Sequence, residues 1–254
     1  MKRRPSPLAT DVAAILFAMS VVALWAILSA TRMVSPVFLP SPLRTVEALL
    51  EGFQDGSFTS ALLDTAARML QGWMLASLAG IGLGILIGVS ARAREFFQPT
   101  IEFLRPLPAA AIIPAAIAFL GINTTMGLAV IVFGSIWPTM LATIQGLGSV
   151  DPRLVEVSRC LRLSRWRFML SIGLPNAVPD IVSGMRISLS NALSLAIVCE
   201  MIASQSGLGT IILQAARSFR SPDLFAGIAL LGLCGFVSSL GLKLVAGAIL
   251  RRPG

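Results

Sequence analysis

The sequence predicts an all-α integral membrane protein with six transmembrane helices and both termini in the cytoplasm. Three observations predict it. The 254 residues are 56% hydrophobic and only 13% charged, with a mean hydropathy of +0.85. Apolar stretches long enough to cross a bilayer recur along the chain, and the arginines gather in alternate connections. A water-soluble domain carries about 25% charged residues, so this chain has too few polar side chains to cover a surface facing water.

Composition also excludes several functions. The net charge of +8 could suit nucleic acid, but the basic residues sit at the edges of apolar runs and form no continuous patch. Histidine and tyrosine are absent, which removes the commonest general base and the commonest zinc ligand. Cys160, Cys199 and Cys234 are widely spaced, odd in number and match no metal pattern. They read as small apolar fillers, and no metal site is expected.

A helix needs about 20 apolar residues to cross the hydrocarbon core. Val12 to Ala30 is the first candidate span; it exceeds the 7–15 apolar residues of a signal peptide and lacks a clear cleavage site. Met69 to Ala91 is the second. The 45 positions from Pro106 to Val150 carry no charge, enough for a third and a fourth span, with the break expected at Gly121 to Thr125. A fifth runs from about Ile181 to Ile202 and a sixth from Leu224 to Leu242. Gly80, Gly84 and Gly88 in the second span are spaced for close helix packing. The accompanying G-x-G-x-G pattern follows no strand and is not a nucleotide loop. Pro106, Pro108, Pro114 and Pro138 are tolerated in lipid only where helices or water satisfy the freed carbonyls, as along a translocation path or in a kinked bundle.

Orientation follows from the basic residues. One set of connections holds Lys2, Arg3, Arg4, Arg92, Arg94, Arg105, Arg153, Arg159, Arg162, Arg165, Arg167, Arg251 and Arg252; the other holds Arg32, Arg44, Arg217 and Arg220. The richer set is assigned to the cytoplasm. Arg186, Glu200 and Lys243 lie near span ends, where snorkelling lowers the cost of a charge, and no intramembrane pair suggesting a proton relay is visible. The energy source is then expected on another subunit.

The cytoplasmic stretch from Ser149 to Pro179 is the most informative. Asp151-Pro152 reads as an N-cap followed by proline at the first helical position. Leu154, Val157, Cys160 and Leu161 share one face of the helix that follows, with Arg153, Glu156, Arg159 and Arg162 over the other side. Ser164 would cap a second short helix ending before Leu174-Pro175. Such an amphipathic elbow can lie on lipid or dock in a groove of a partner.

Glu156-Val157-Ser158 and Ile172-Gly173-Leu174-Pro175 keep the spacing of Glu-Ala-Ala, three residues, Gly, nine residues, Ile-x-Leu-Pro. The stretch thereby resembles the EAA loop of ABC importer permeases. Ser149 to Val155, Arg105-Pro106-Leu107-Pro108, Arg68, Glu200-Met201 and Gly207-Leu208-Gly209 resemble the nitrate/sulfonate/taurine-type branch, and the resemblance covers roughly Ala61 to Arg252. It departs where the two alanines are Val157 and Ser158 and where the loop glycine is Arg162. Either that turn uses right-handed geometry here, or the chain couples to an ATPase adapted to a bulkier elbow.

The resemblance implies a type I ABC importer permease (MetI-like) fold. Residues 1–56 would form the N-terminal tail, first helix and external segment, and residues 57–250 a core of five helices carrying the coupling loop at about 150–179. It implies ATPase-coupling roles for Glu156, Val157, Ser158, Leu161 and Arg162, with Leu174 and Pro175 positioning the elbow. The implied partners are a cytoplasmic ABC ATPase dimer that binds ATP-Mg, a second permease subunit (a homodimer by preference), a periplasmic or lipid-anchored solute-binding protein and the bilayer of a bacterial inner membrane. The chain itself needs no cofactor and has no catalytic residues on this reading. Ser188, Asn191 and Glu200 are candidate pathway residues, although serine and asparagine in membrane helices also serve helix–helix hydrogen bonds. The solute is expected to be a sulfonate, taurine, nitrate or similar small anion, or alternatively a pyrimidine or vitamin precursor. A membrane enzyme would require clustered catalytic groups, and an ion-coupled transporter inverted repeats or charge pairs.

Overall fold

The computed structural model describes residues 7–31 and 33–250. Of the arginines and lysines used for orientation, Lys2, Arg3, Arg4, Arg32, Arg251 and Arg252 lie outside the described residues. Those described form helices α1 (Pro7–Ala30), α2 (Pro42–Gln54), α3 (Ser57–Gly88), α4 (Ala91–Leu104), α5 (Ile113–Leu120), α6 (Thr124–Gly148), α7 (Pro152–Cys160), α8 (Arg165–Phe168), α9 (Leu174–Ala203), α10 (Leu208–Arg217) and α11 (Ser221–Leu250), with a 3-10 turn at Ala109–Ile112 and a π-helical turn at Met169–Gly173.

The chain divides into two compact units. In the first, comprising the chain up to Ser60 and Ile211–Leu230, α1 is an apolar helix of 24 residues. Trp25 near its end stacks on Phe225 with centroids 5.7 Å apart and donates its indole N–H to Pro40 O at 2.9 Å. Ser41 caps α2 by accepting the Arg44 N–H, with Pro42 in the first turn. Asp55 accepts the Ser57 N–H at 2.8 Å, and its bonds with the Ser57 side chain and backbone hold its carboxyl below the usual range.

The second unit, Ala61–Thr210 with the chain from Leu231 onward, is built on α6 packed along α9. Small residues permit the approach. A Cβ on Gly184 would lie 2.7 Å from Pro138 O, and one on Gly146 would lie 2.8 Å from Ala177 Cα. The glycine row of α3 meets α6 as expected: Gly80 faces Thr139 and Met140, Gly84 faces Thr143, and Gly88 faces Leu147. Met69, Ile131, Leu189, Ala192, Ala196 and Cys234 form the core of this unit. Cys199 is also buried but Cys160 is exposed, so the apolar-filler reading holds for two cysteines of three.

Among the described residues, four helical segments are long and apolar enough to cross a membrane alone: Ser57–Gly88, Thr124–Gly148, Trp166–Ala203 and Ser221–Ala248. The expected third span takes another form. Pro106 and Pro108 break the chain, so α4 and Ala109–Leu120 meet at a 78° bend and only together have the length of a span. The break before α6 falls where expected, with Gly121 at φ +74° and Asn123 capping α6 by accepting the Met126 N–H at 2.8 Å. The fifth span starts earlier than its apolar run, because the helix is continuous from Trp166 to Ala203.

Candidate functional site

The elbow forms as its caps dictate. Asp151 accepts the Arg153 N–H at 2.8 Å and Pro152 occupies the first helical turn of α7. At the other end, the Leu163 N–H donates to Ser158 O and the Arg162 N–H to Arg159 O, both at 3.0 Å. These two bonds define a Schellman cap, whose C′ residue is left-handed and usually glycine. That residue is Arg162, at φ +51°. The turn is therefore left-handed despite the arginine, and the right-handed alternative is excluded.

α7 buries only Ser158, whose hydroxyl donates to Val155 O at 2.7 Å. Its apolar face is open: Leu154 is 44% exposed, Val157 51% and Leu161 65%. Glu156 is exposed as well. The elbow is fixed at its base, where the Asn176 amide donates to Gly146 O at 3.1 Å and to Ser149 Oγ at 3.3 Å. Sequence reading missed Asn176; its signal was a polar residue one place after the Leu-Pro pair.

The second half of the elbow departs from expectation. Ser164 does cap α8, accepting the Arg167 N–H at 3.3 Å. The helix does not end before Leu174 and Pro175, however, but passes through the π turn at Met169–Gly173 into α9. Proline removes one backbone donor and its ring crowds the preceding turn. The wider π turn lies directly before it, and the helix axis continues.

Three candidate pathway residues share α9 but not an environment. Ser188 is fully buried and its hydroxyl donates to Ser135 O on α6 at 2.6 Å, a helix–helix bond. Asn191 instead lines a cavity of about 500 Å³, with Arg105, Trp137, Gln145, Asp180 and Ser183 among the other walls. Ser188 and Asn191 therefore do not act as one polar face.

Glu200 lines none of this. It is fully buried and paired with Arg68, itself 8% exposed, so neither snorkels. Thr65 Oγ1 donates to Glu200 Oε2 at 3.0 Å and the Gly209 N–H does so at 2.9 Å. Thr65 accepts the Leu208 N–H at 2.9 Å, and both terminal nitrogens of Arg68 donate to Ser206 O at 3.1 Å. The expectation that no intramembrane charges pair is corrected here: Arg68 and Glu200 are separated by a long stretch of sequence and meet only in the fold. The carboxylate is enclosed by donors that tie the α9–α10 connection to α3, a structural clamp.

The comparisons agree with this geometry. Residues 80–253 match the family of binding-protein-dependent transport system inner membrane components. The chain is 30% identical over 224 residues to the taurine transport system permease protein TauC of Escherichia coli (strain K12), covering 86% of this chain and 82% of that one. It is 29% identical over 232 residues to the putative aliphatic sulfonates transport permease protein SsuC of Bacillus subtilis (strain 168), covering 91% and 84%. A solved chain of the inward-facing MetNI methionine ABC transporter superposes with a TM-score of 0.70 at 16% identity, covering 78% of this chain and 98% of that one; that likeness concerns the fold. With an ordered EAA-type elbow, a helical membrane core and a family match over most of its length, the chain belongs to the inner-membrane permeases of binding-protein-dependent ABC importers, in their nitrate/sulfonate/taurine branch.

Proposed function

We propose that this permease moves a small sulfonate or similar small organic anion across a bacterial inner membrane. Six spans would put both termini in the cytoplasm, counting α1 and the bent α4–α5 pair as one span each. ATP-Mg is bound and hydrolysed by a separate cytoplasmic ATPase, and an external binding protein delivers the solute. A second copy of the chain completes the pathway by closing the open side of the cavity that Asn191 lines. The sulfonate reading draws on the relatives named for taurine and aliphatic sulfonates.

The observation that carries this reading is the open apolar face of α7. Leu154, Val157 and Leu161 are exposed on a helix capped at both ends, and Asn176 of α9 holds Ser149 in the linker that leads into it. Each such side chain contributes about 1.5–3 kcal/mol when fully buried, so a cleft on an ATPase that covers all three gains several kcal/mol. Glu156, Val157, Leu161 and Arg162 would meet that cleft, Ser158 stays buried behind them, and Leu174 and Pro175 would carry the elbow into α9. The helix from Trp166 to Ala203 has 38 residues, roughly 55 Å at 1.5 Å per residue. Movement passed across the turn at Arg162 is then carried along this one helix to the cavity wall.

Co-purification tests the reading. An ABC ATPase is expected to come down with the native chain, and both Glu156→Lys and Leu161→Asp are expected to weaken that association while leaving the folded fraction unchanged. Absence of any ATPase, or uptake that persists without ATP, would overturn it.

A further inference from the structure

The family match begins at residue 80, and before it α2 carries exposed surface that the permease reading does not use. At 3.6 residues per turn, its side chains fall on three strips. Thr45, Ala48 and Gly52 form the buried strip, and a Cβ on Gly52 would run into the Phe58 ring. Arg44, Glu47 and Glu51 lie along one flank, all exposed. Leu43, Val46, Leu50 and Phe53 lie along the other, between 41% and 68% exposed. A contiguous apolar strip of this kind marks contact with a membrane or a protein, since water around it forgoes the gain of burial.

The contacts ahead of α2 fix the depth at which it starts. Trp25 lies five residues before the end of α1 at Ala30, roughly 7.5 Å along the axis at 1.5 Å per residue. Helical side chains lean toward the N-terminus, so the indole does not reach outward past that end. Its N–H donates to Pro40 O at 2.9 Å, two residues before α2 begins at Pro42. Trp25 also stacks on Phe225, which lies in the second turn of α11. Ser221, the first residue of α11, donates its hydroxyl to Val37 O, and Phe219 meets Phe38 edge-on. The segment from Val37 to Pro40 is thereby fastened to the ends of two apolar helices. It delivers α2 at the level of their terminal turns, not into the water beyond. Tryptophan favours that level. An amphipathic helix on a bilayer sinks about 5–10 Å into the boundary between headgroups and acyl chains, which is the depth that Trp25 marks.

We infer that α2 is an interfacial helix resting in the outer face of the bilayer, with Leu43, Val46, Leu50 and Phe53 in the acyl boundary and Arg44, Glu47 and Glu51 toward water. Lipid covers the apolar flank because the flank continues a lipid-facing surface. Leu24 and Ile27 of α1 are exposed, and Ala26, Ala30, Pro36 and Leu43 line one cavity of about 930 Å³ where α1 meets the start of α2. Only the choice of the outer leaflet rests on the orientation proposed above.

Spin-label accessibility tests the placement, with the full chain in nanodiscs of phosphatidylethanolamine and phosphatidylglycerol. Cys160→Ser removes the exposed thiol, and Cys199 and Cys234 are buried. Single labels are then attached to Val46→Cys, Leu50→Cys, Glu47→Cys and Glu51→Cys. Collisions with oxygen, which concentrates in lipid, are compared with collisions with a water-soluble nickel chelate. The oxygen-to-nickel ratio is expected to be severalfold higher at Val46 and Leu50 than at Glu47 and Glu51. Thermal unfolding establishes that each variant is folded, and Leu43→Cys replaces either apolar-flank variant that is not. Equal ratios on the two flanks would place α2 in water. Labels at Val46 and Leu50 that are immobilised and shielded from both reagents would mean that a second copy covers the flank, and the same shielding appearing only on addition of a binding protein would assign the flank to that protein. Each of these results would overturn the inference. An impermeant maleimide added to intact cells is expected to label Glu51→Cys. Labelling only after the cells are opened would overturn the outer placement together with the proposed orientation, whereas equal ratios with labelling from outside would overturn the inference alone.

Discussion

Arg68 and Glu200 form an ion pair closed to solvent and bounded by Thr65, Ser206 and Gly209. Removing one partner leaves the other charge buried, which costs about 3–5 kcal/mol. Glu200→Ala and Arg68→Ala are each expected to lower stability by that order in thermal unfolding of the detergent-solubilised protein. Arg68→Leu combined with Glu200→Leu is expected to cost less than either single change. Additive losses in the double variant would show that the two residues act separately.

Gly84 tests the contact between α3 and α6. A Cβ there would lie 2.6 Å from Thr143 Cβ and 2.9 Å from Met140 O, and neither helix backbone can yield cheaply. Gly84→Val is expected to destabilise by about 1–3 kcal/mol through overpacking. Gly82→Val, where nothing lies within 4 Å of the added carbon, serves as the control and is expected to be near neutral in the same unfolding assay.

Arg162 occupies a left-handed position that costs an L-residue roughly 1–2 kcal/mol. Arg162→Gly removes that strain but adds freedom to the unfolded chain, so a net gain of about 0.5–1 kcal/mol is expected. A loss of stability would mean that the arginine side chain contributes contacts outweighing its backbone strain. ATPase co-purification with the same variant reports whether the guanidinium also contributes to docking.

Ser188 and Asn191 separate structure from passage. Ser188→Ala loses one buried hydrogen bond and is expected to cost about 1 kcal/mol with uptake into proteoliposomes retained. Asn191→Ala is expected to lower uptake with little change in unfolding temperature. If both variants reduce uptake alike, the two residues do share the pathway and the division seen in the fold has no functional meaning.

The sequence by itself determined the membrane location, the glycine contact row of α3, the break before α6 at Gly121 to Thr125 and the first, capped helix of the elbow. Those features rest on local signals: hydropathy along the chain, residues repeating every fourth place, and capping groups two or three positions from their partners. Only the tertiary structure decided the rest. Glu200 looked like a residue near a span end, and its enclosure depends on Arg68 and Thr65 meeting it from far along the chain. Ser188 and Asn191 looked equivalent on one helix until α6 packed along it, taking the first as a partner and leaving the second at the cavity. The third span reads in the sequence as starting at Pro106, and only the fold joins α4 to Ala109–Leu120 across a 78° bend at Pro106 and Pro108. Arg105 read as one of the arginines of a cytoplasmic connection. Its place with Asp180 on the wall of one cavity depends on how α4, α6 and α9 come together, and no spacing along the chain encodes it.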